Sequence, residues 1–179
     1  YNLWILLYID VSHIEVEYQF GIEEENKMPL KLKSFGHAQH DEVERLENQF
    51  DISLPNDYKE FLLEQNGGKN QAYEFENTIR LSQIEEDINI DTMFGVKTGF
   101  KNADIEQWTN EYVDDIFEHS IIIGDTVQHG FLIMWLSNDE NEGIYYYDDT
   151  YYFSSSTDEN NAYFLAKSFS EFLGLVKNK

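Results

Sequence analysis

A chain of 179 residues, 41% hydrophobic and 16% aromatic, carries enough apolar side chain to bury one core, and its length suits one domain. Zero cysteines exclude disulfides, thiolate metal sites and cysteine nucleophiles together, which is compatible with a reducing cytoplasm. Thirty-five acidic residues against twelve basic ones give a formal net charge of −23, a field that repels nucleic acid and anionic membrane and draws in basic partners. Acidity that serves only solubility is the rival reading.

The opening residues are strand-like. An apolar run at 3–9 is ended by Asp10, far short of the ~20 residues of a membrane span, and Ile14, Val16, Tyr18 and Phe20 alternate as in a half-buried strand. Met28 then opens a stretch that reads as a natural beginning. Residues 1–27 are accordingly either an upstream extension or an added hairpin, and 28–179 are expected to form a single domain. Leu30, Leu32 and Phe35 around Lys31 and Lys33 predict a short strand.

A helix follows over 41–50, with Val43, Leu46 and Phe50 on one face and Asp41, Glu42 and Glu44 near its positive first turn. The next helix carries its own start and stop signals. Pro55 sits where a first-turn backbone N–H has no intrahelical partner, and Tyr58, Phe61 and Leu62 form an apolar stripe. Asn66-Gly67-Gly68 ends it, because glycine accepts the left-handed conformation of a helix C-cap. The two helices are expected to pair as a hairpin.

Beyond them, 73–81 reads as one or two strands, 83–90 as an acidic helical turn, and 94–100 as a strand edge running into a loop. A helix is expected from Asn102, with Ile105, Trp108, Tyr112 and Ile116 inward and Asp114 and Asp115 outward. Apolar runs at 121–123, 131–136, 144–147 and 151–153, parted by Gly-Asp, Asn-Asp and Asp-Asp, predict an antiparallel meander. The run at 131–136, apolar on both faces, marks its central strand. Residues 162–165 suit a last edge strand, and Ser168 with Glu171 opens a C-terminal helix.

Val43, Leu46 and Glu47, then Leu54, Pro55, Asp57, Tyr58, Phe61, Leu62, Asn66, Gly67 and Gly68, resemble the N-terminal signature of the SUKH superfamily. Ile121 to Asp125 with Gly130 is similar to that family's strand and glycine turn, and Ser168 to Leu173 to its closing helix. The superfamily contains fungal cell-wall-synthesis regulators and bacterial immunity proteins against polymorphic toxins. The resemblance implies an α+β fold: an N-terminal helical pair, a mixed but mainly antiparallel sheet, and a C-terminal helix packed on it. It also implies structural roles for Asn66, Gly67, Gly68 and Gly124. The expected core is Leu46, Leu54, Tyr58, Phe61, Leu62, Ile122, Ile133, Trp135, Phe169 and Phe172.

Catalytic constellations fail. There is no nucleophile elbow, phosphate-cradling loop or H-E-x-x-H helix, and His37 and His40 lack a third ligand and read as surface residues. The acidic 138–143 segment lacks the leading aspartate of a calcium loop and reads as a hairpin turn. No catalytic residue, metal or cofactor is expected. The tyrosine- and carboxylate-rich run 145–152 has the composition of a surface that receives lysine and arginine, and the rival reading is that these tyrosines pack under the C-terminal helix. The partner-binding residues expected are Asp114, Asp115, Glu140, Glu142, Asp148 and Asp149, with Tyr146 and Tyr151 as packing anchors, against a basic cognate toxin such as a nuclease. A regulatory scaffold and an unrecognised small hydrolase are the alternatives.

Overall fold

The computed structural model describes residues 29–71 and 76–178. The strands expected at 4–9 and 13–20, the boundary at Met28 and the first residues of the 73–81 segment lie outside them. The described chain is α+β, with eight strands and four helices.

The two helices expected to pair do so. α1 (His40–Phe50) opens where the Glu42 carboxylate accepts the Gln39 N–H at 2.9 Å, and closes at Asp51 in the left-handed region. Glu47 ties it to its neighbour, accepting the Leu54 N–H at 2.7 Å and pairing with Lys59 at 2.8 Å. α2 (Asn56–Glu64) follows Pro55 and buries Tyr58, Phe61 and Leu62, as their spacing requires. Asn66, at φ 50°, ends that segment by gripping Val96, donating to its carbonyl at 2.9 Å and accepting its N–H at 2.8 Å. Gly67 follows at φ 75° against the Met93 carbonyl, where a side chain would be strained in conformation and have no room.

The sheet is built from β1 (Leu32–Ser34), β2 (Gly68–Asn70), β3 (Thr78–Leu81), β4 (Glu86–Met93), β5 (Ser120–Thr126), β6 (Phe131–Trp135), β7 (Gly143–Tyr147) and β8 (Ala162–Ala166). Its order is β1-β2-β4-β5-β6-β7-β8, with β3 on the first half of β4. Every ladder is antiparallel, and a single parallel bridge joins Gly95 to Asp104. The central position of β6 agrees with its apolar sequence, since β5 and β7 cover both its edges. A bulge between Ile122 and Gly124 sets Gly124 so close to β4 that a Cβ would meet the Thr92 carbonyl at 2.6 Å.

Besides the helix expected from Asn102, which runs only over Ile105–Glu111, two expected elements differ. The acidic segment 83–90 is a turn followed by strand β4, whose Ile88 and Ile90 pair with Ile79 and Thr126. Ile84 and Ile88 have helical spacing, but the long-range ladder decides the conformation. Residues 151–153 are a bent turn, with Tyr151 at φ 53°.

α4 (Phe169–Leu175) starts at Ser168, whose hydroxyl accepts the Glu171 N–H at 3.1 Å. It packs on β8 and α2, with Phe169 at 4.9 Å from both Tyr58 and Phe61. Asp57 locks this contact by accepting the Ser170 N–H at 2.8 Å and its hydroxyl at 2.9 Å. Every expected core residue is buried except Trp135, which is half-buried at a strand end with its indole N–H on the Glu118 carbonyl at 3.0 Å.

Candidate functional site

The remaining helix, α3 (Ile105–Glu111), organises the other side of the sheet. Its preceding loop is fixed by Asp104, which accepts the Thr98 N–H at 2.8 Å and hydroxyl at 2.7 Å. Ile105 is buried, and the Thr109 hydroxyl accepts the Ile122 N–H at 3.0 Å, pinning the helix to β5. Trp108 and Tyr112 rest on Phe131, with ring centroids 5.3 and 4.8 Å away. The chain then leaves helical geometry but keeps its apolar stripe. Ile116 is half-buried, and Phe117 stacks on Trp135 at 4.2 Å. Asp114 and Asp115, between these anchors, are held out at the surface.

Strand alternation fixes which aromatics share this side. Phe131, Ile133 and Trp135 face α3, so their register partners Tyr147 and Tyr145 do too, and Phe164 continues the row beside Tyr145 at 5.4 Å. Tyr146 points the other way. It is fully buried, with its ring filling the space a side chain on Gly130 would take, so it is not a surface anchor.

The connection after β7 explains the acids beside it. Asp148 is fully buried, and its carboxylate accepts the N–H groups of Tyr152 and Phe153 at 2.8 and 3.0 Å and the Ser156 hydroxyl at 2.5 Å. It is the hub of the turn, unavailable to a partner, and that corrects its assignment from sequence. The turn it holds drives Tyr151 and Tyr152 outward, to 45% and 59% exposure. Asp149 turns toward α3 and accepts the Tyr112 hydroxyl at 3.3 Å.

Between the 115–117 segment and the 158–162 loop lies a 430 Å³ cleft floored by Ile133 and Tyr147 and walled by Asp115, Asp158, Glu159 and Tyr151. No lysine or arginine lines it. The phenols register the field. The Tyr112 hydroxyl is pushed up to about 12 by burial, then by the charge and hydrogen bond of Asp149 and the charges of Glu111 and Asp115. Tyr147 is raised by burial, then by Asp149, and Tyr151 is raised chiefly by its hydrogen bond to Asp158.

Of the residues expected from sequence, Asp115 and Tyr151 therefore line one cleft, Asp149 lies beside it at Tyr112, and Asp114 is exposed next to Asp115 in the chain. Glu140 and Glu142 lie apart from it. They sit in the β6–β7 turn, at the far end of the five-residue β7, ~16 Å from the cleft end at 3.3 Å per residue. That turn is folded on itself. The Asp139 carboxylate accepts the Ser137 hydroxyl and Asn141 N–H at 2.8 and 2.7 Å, and the Glu142 carboxylate accepts the Asn138 N–H at 2.9 Å. The Lys167 ammonium caps the carbonyls of Glu140 and Glu142. Sequence reasoning missed Phe117, Tyr147, Asp158 and Glu159. The last two lie in a polar stretch with only loop signals, and Tyr147 takes its place from the register that pairs it with Phe131.

His37 is exposed with Nδ1 on the Leu63 carbonyl at 3.2 Å, and among the described residues no group of three or more His, Cys, Asp or Glu is placed to hold a metal ion. No helix among them is long and apolar enough to cross a membrane. Residues 37–174 match the family model described as SMI1 / KNR4 family (SUKH-1). No curated protein matches the chain.

Proposed function

The chain belongs to the SMI1/KNR4 family (SUKH-1), and from that premise we propose that it is a non-catalytic immunity protein, acting in the cytoplasm, that binds and blocks a basic bacterial toxin domain of nuclease type. The observation that carries the reading is the 430 Å³ cleft whose charged lining is Asp115, Asp158 and Glu159, all acidic, with Tyr147 and Tyr151 alongside. A toxin that cleaves nucleic acid must present a cationic surface to its substrate, and an acidic surface with aromatic anchors competes for that surface. Complementary charge raises association rates from about 10⁵–10⁶ toward 10⁸–10⁹ M⁻¹s⁻¹ at low salt, which suits a protein that must capture a lethal enzyme early. The backing of the cleft also supports the reading. Thr109 on β5 and Phe117 on Trp135 hold its acidic wall in place before a partner arrives, reducing the ordering cost of association.

Co-expression with a basic nuclease-type toxin domain, sought in the genes that neighbour this one, tests the proposal. Growth should be rescued by the wild type and not by a chain carrying Asp115→Lys, Asp158→Lys and Tyr151→Ala. Absence of rescue by a folded wild type, against a toxin domain from the neighbouring gene, would sink the immunity role. A complex without rescue would point to a regulatory scaffold instead.

A further inference from the structure

On the side of the sheet that carries α3, β7 and β8 present Tyr145 opposite Phe164 and Tyr147 opposite Ala162. α3 and the segment after it cover only the β5–β6 half of this side, through the Thr109 hydroxyl on Ile122 and Phe117 on Trp135. The β7–β8 half is left open. Tyr145, Tyr147 and Ala162 are half-buried and Phe164 is exposed, whereas Ile144, Tyr146 and Tyr163, on the opposite side of the same strands, are buried.

A sheet side left to water normally turns polar side chains outward. Here none of the four outward residues is charged, in a chain that is 26% charged, and three of them are aromatic. The row continues across β6: Phe164 lies 5.4 Å from Tyr145, Tyr145 5.9 Å from Trp135, and Trp135 4.2 Å from Phe117. An aromatic centre without charge, inside a charged rim, is the anatomy of a protein–protein interface.

The rim is acidic. Asp115 and Glu118 stand exposed on the segment after α3, and Asp158 and Glu159 at the tip of a turn closed by Thr157 and Asn160, which exchange N–H to carbonyl bonds at 3.2 and 3.0 Å. At the other end the β6–β7 turn meets the row, where the Tyr145 hydroxyl donates to the Asn141 carbonyl at 2.6 Å. Lys167 is the cation at that end. Its ammonium is engaged by the carbonyls of Glu140 and Glu142 and lies 5.4 Å from the centre of the Phe164 ring, so the row already attracts an ammonium of the chain's own.

Charge and shape select one kind of occupant. A second copy would bring a further −23 against the same acidic rim. An added strand would have to displace Gln83, whose side-chain amide donates to the Phe164 carbonyl of this edge strand at 2.6 Å. The strip from β6 to the β8 edge is two strand spacings wide, about 10 Å, which is the diameter of one α-helix. The five residues of β7 run ~16 Å, the length of about eleven helical residues.

We propose that the open face of β7 and β8 docks one basic amphipathic α-helix of the partner protein, about three turns long, with its apolar stripe on Tyr145, Tyr147 and Phe164 and its cationic flanks over Asp115, Asp158 and Glu159. The inference rests on the acidic-cleft reading for the partner's identity and extends it, since Ile133 and Tyr147, which floor the cleft, belong to the same face.

The probe is a leucine–lysine peptide of ~14 residues with leucines at helical spacing, and its control is a scrambled peptide of the same composition and charge. Each is titrated into the full chain at ~0.3 M salt, which screens the long-range field, and the Trp135 indole N–H and the Tyr145 and Phe164 amides are followed by NMR. Saturable shifts at these three groups are expected, with the scrambled peptide at least about tenfold weaker. Phe164→Ser leaves the net charge unchanged and should weaken binding about tenfold, whereas Leu175→Ser, equally exposed but on α4, should leave it as it was. An amide spectrum unchanged elsewhere shows that each variant is folded. Failure to saturate, equal binding of the scrambled peptide, shifts confined to other surfaces, or undiminished affinity in Phe164→Ser overturns the helix site. In the co-expression assay, rescue retained by a chain with Phe164→Ser and Tyr145→Ser overturns it too and leaves the immunity role standing. Absence of rescue by the wild type, with the peptide still docking, sinks the immunity role and leaves the helix site standing.

Discussion

Asp148→Ala separates the roles of two adjacent aspartates. The carboxylate it removes holds two backbone N–H groups and one hydroxyl, at 2.8, 3.0 and 2.5 Å. Phe153 is buried, so its N–H loses its acceptor with no water to replace it, at about 1–3 kcal/mol. Tyr152 is exposed and its N–H can be rehydrated, so it contributes less. Ser156 also hydrogen-bonds the Tyr163 hydroxyl at 2.8 Å and keeps that partner. Adding the turn geometry that these bonds impose, the loss should reach about 3–5 kcal/mol, a large part of the 5–15 kcal/mol that stabilises a typical domain. Urea unfolding followed by tryptophan fluorescence reads it directly. With a slope of about 1–3 kcal/mol/M the midpoint should fall by roughly 2 M. Asp149→Ala, which gives up one long bond from the Tyr112 hydroxyl, should cost under about 1 kcal/mol and act on association instead. An unmoved midpoint in Asp148→Ala, or weakened partner binding without loss of stability, would refute the assignment of Asp148 to the fold.

The first acidic wall can be tested through kinetics: Asp115→Lys with Asp158→Lys should slow association with a basic partner about tenfold at low salt, and the difference from wild type should close as ionic strength passes ~0.15 M, where the Debye length is ~8 Å. A salt-independent gap would show that the lysines block contact rather than reverse the field. Gly124→Ala should cost about 2–3 kcal/mol, because its Cβ meets the Thr92 carbonyl at 2.6 Å and neither bulged strand can retreat without breaking ladder bonds. Calorimetry should show a melting point about 5–10 °C lower, and an unchanged value would mean that the bulge yields. Asp125 gives a pH signature. Its folded value of about 6 lies above the ordinary 3.8, so the folded state keeps a proton that the unfolded state has lost, and stability falls as pH rises through that window. Asp125→Asn should abolish that part of the fall, gaining about 1–3 kcal/mol at neutral pH and little at pH ~4. Parallel urea midpoints at the two pH values decide it.

The helical pair could be read from sequence because its signals are local. Pro55 starts a helix, Asn66 and Gly67 stop one, and the 3.6-residue spacing of Tyr58, Phe61 and Leu62 is complete within two turns. β6 was equally legible, since a strand buried on both faces has no polar alternation to confuse with a helix. β4 was not. Ile84, Ile88 and Ile90 satisfy helical and strand spacings together, and what decides is the pairing of Ile90 with Thr126, which no local window contains. The two neighbouring tyrosines pose the same problem in smaller form. Alternation says that Tyr146 and Tyr147 face opposite ways but not which one meets the core, and that choice is made by Gly130, whose missing side chain admits the Tyr146 ring. Asp148 and Asp149 looked alike as turn acids. Only the closure of the 148–161 connection, where Ser156 and Phe153 return to the first of them, makes one structural and leaves the other beside Tyr112.

Whether the acidity solvates or binds turns on its distribution. Acidic residues that serve solubility alone would be interspersed with bases over the whole surface. Here the ion pairs of the described residues that involve lysine or arginine, Lys31–Glu76, Arg45–Asp41, Lys59–Glu47, Lys69–Asp91 and Arg80–Asp87, all fall between residues 31 and 91. Residues 102–166 contain no lysine or arginine at all. That stretch supplies α3 and β5 to β8, and with them the acidic cleft. Asp115, Asp149, Asp158 and Glu159 thus repel one another across a rim with no lysine or arginine in its lining to relieve them, a cost the fold could avoid by exchanging any one of them for lysine. Nothing in the packing requires them, since Asp115, Asp158 and Glu159 are all exposed. A surface that keeps such a cost, beside aromatic rings held in place from behind, is consistent with a partner that supplies the missing positive charge.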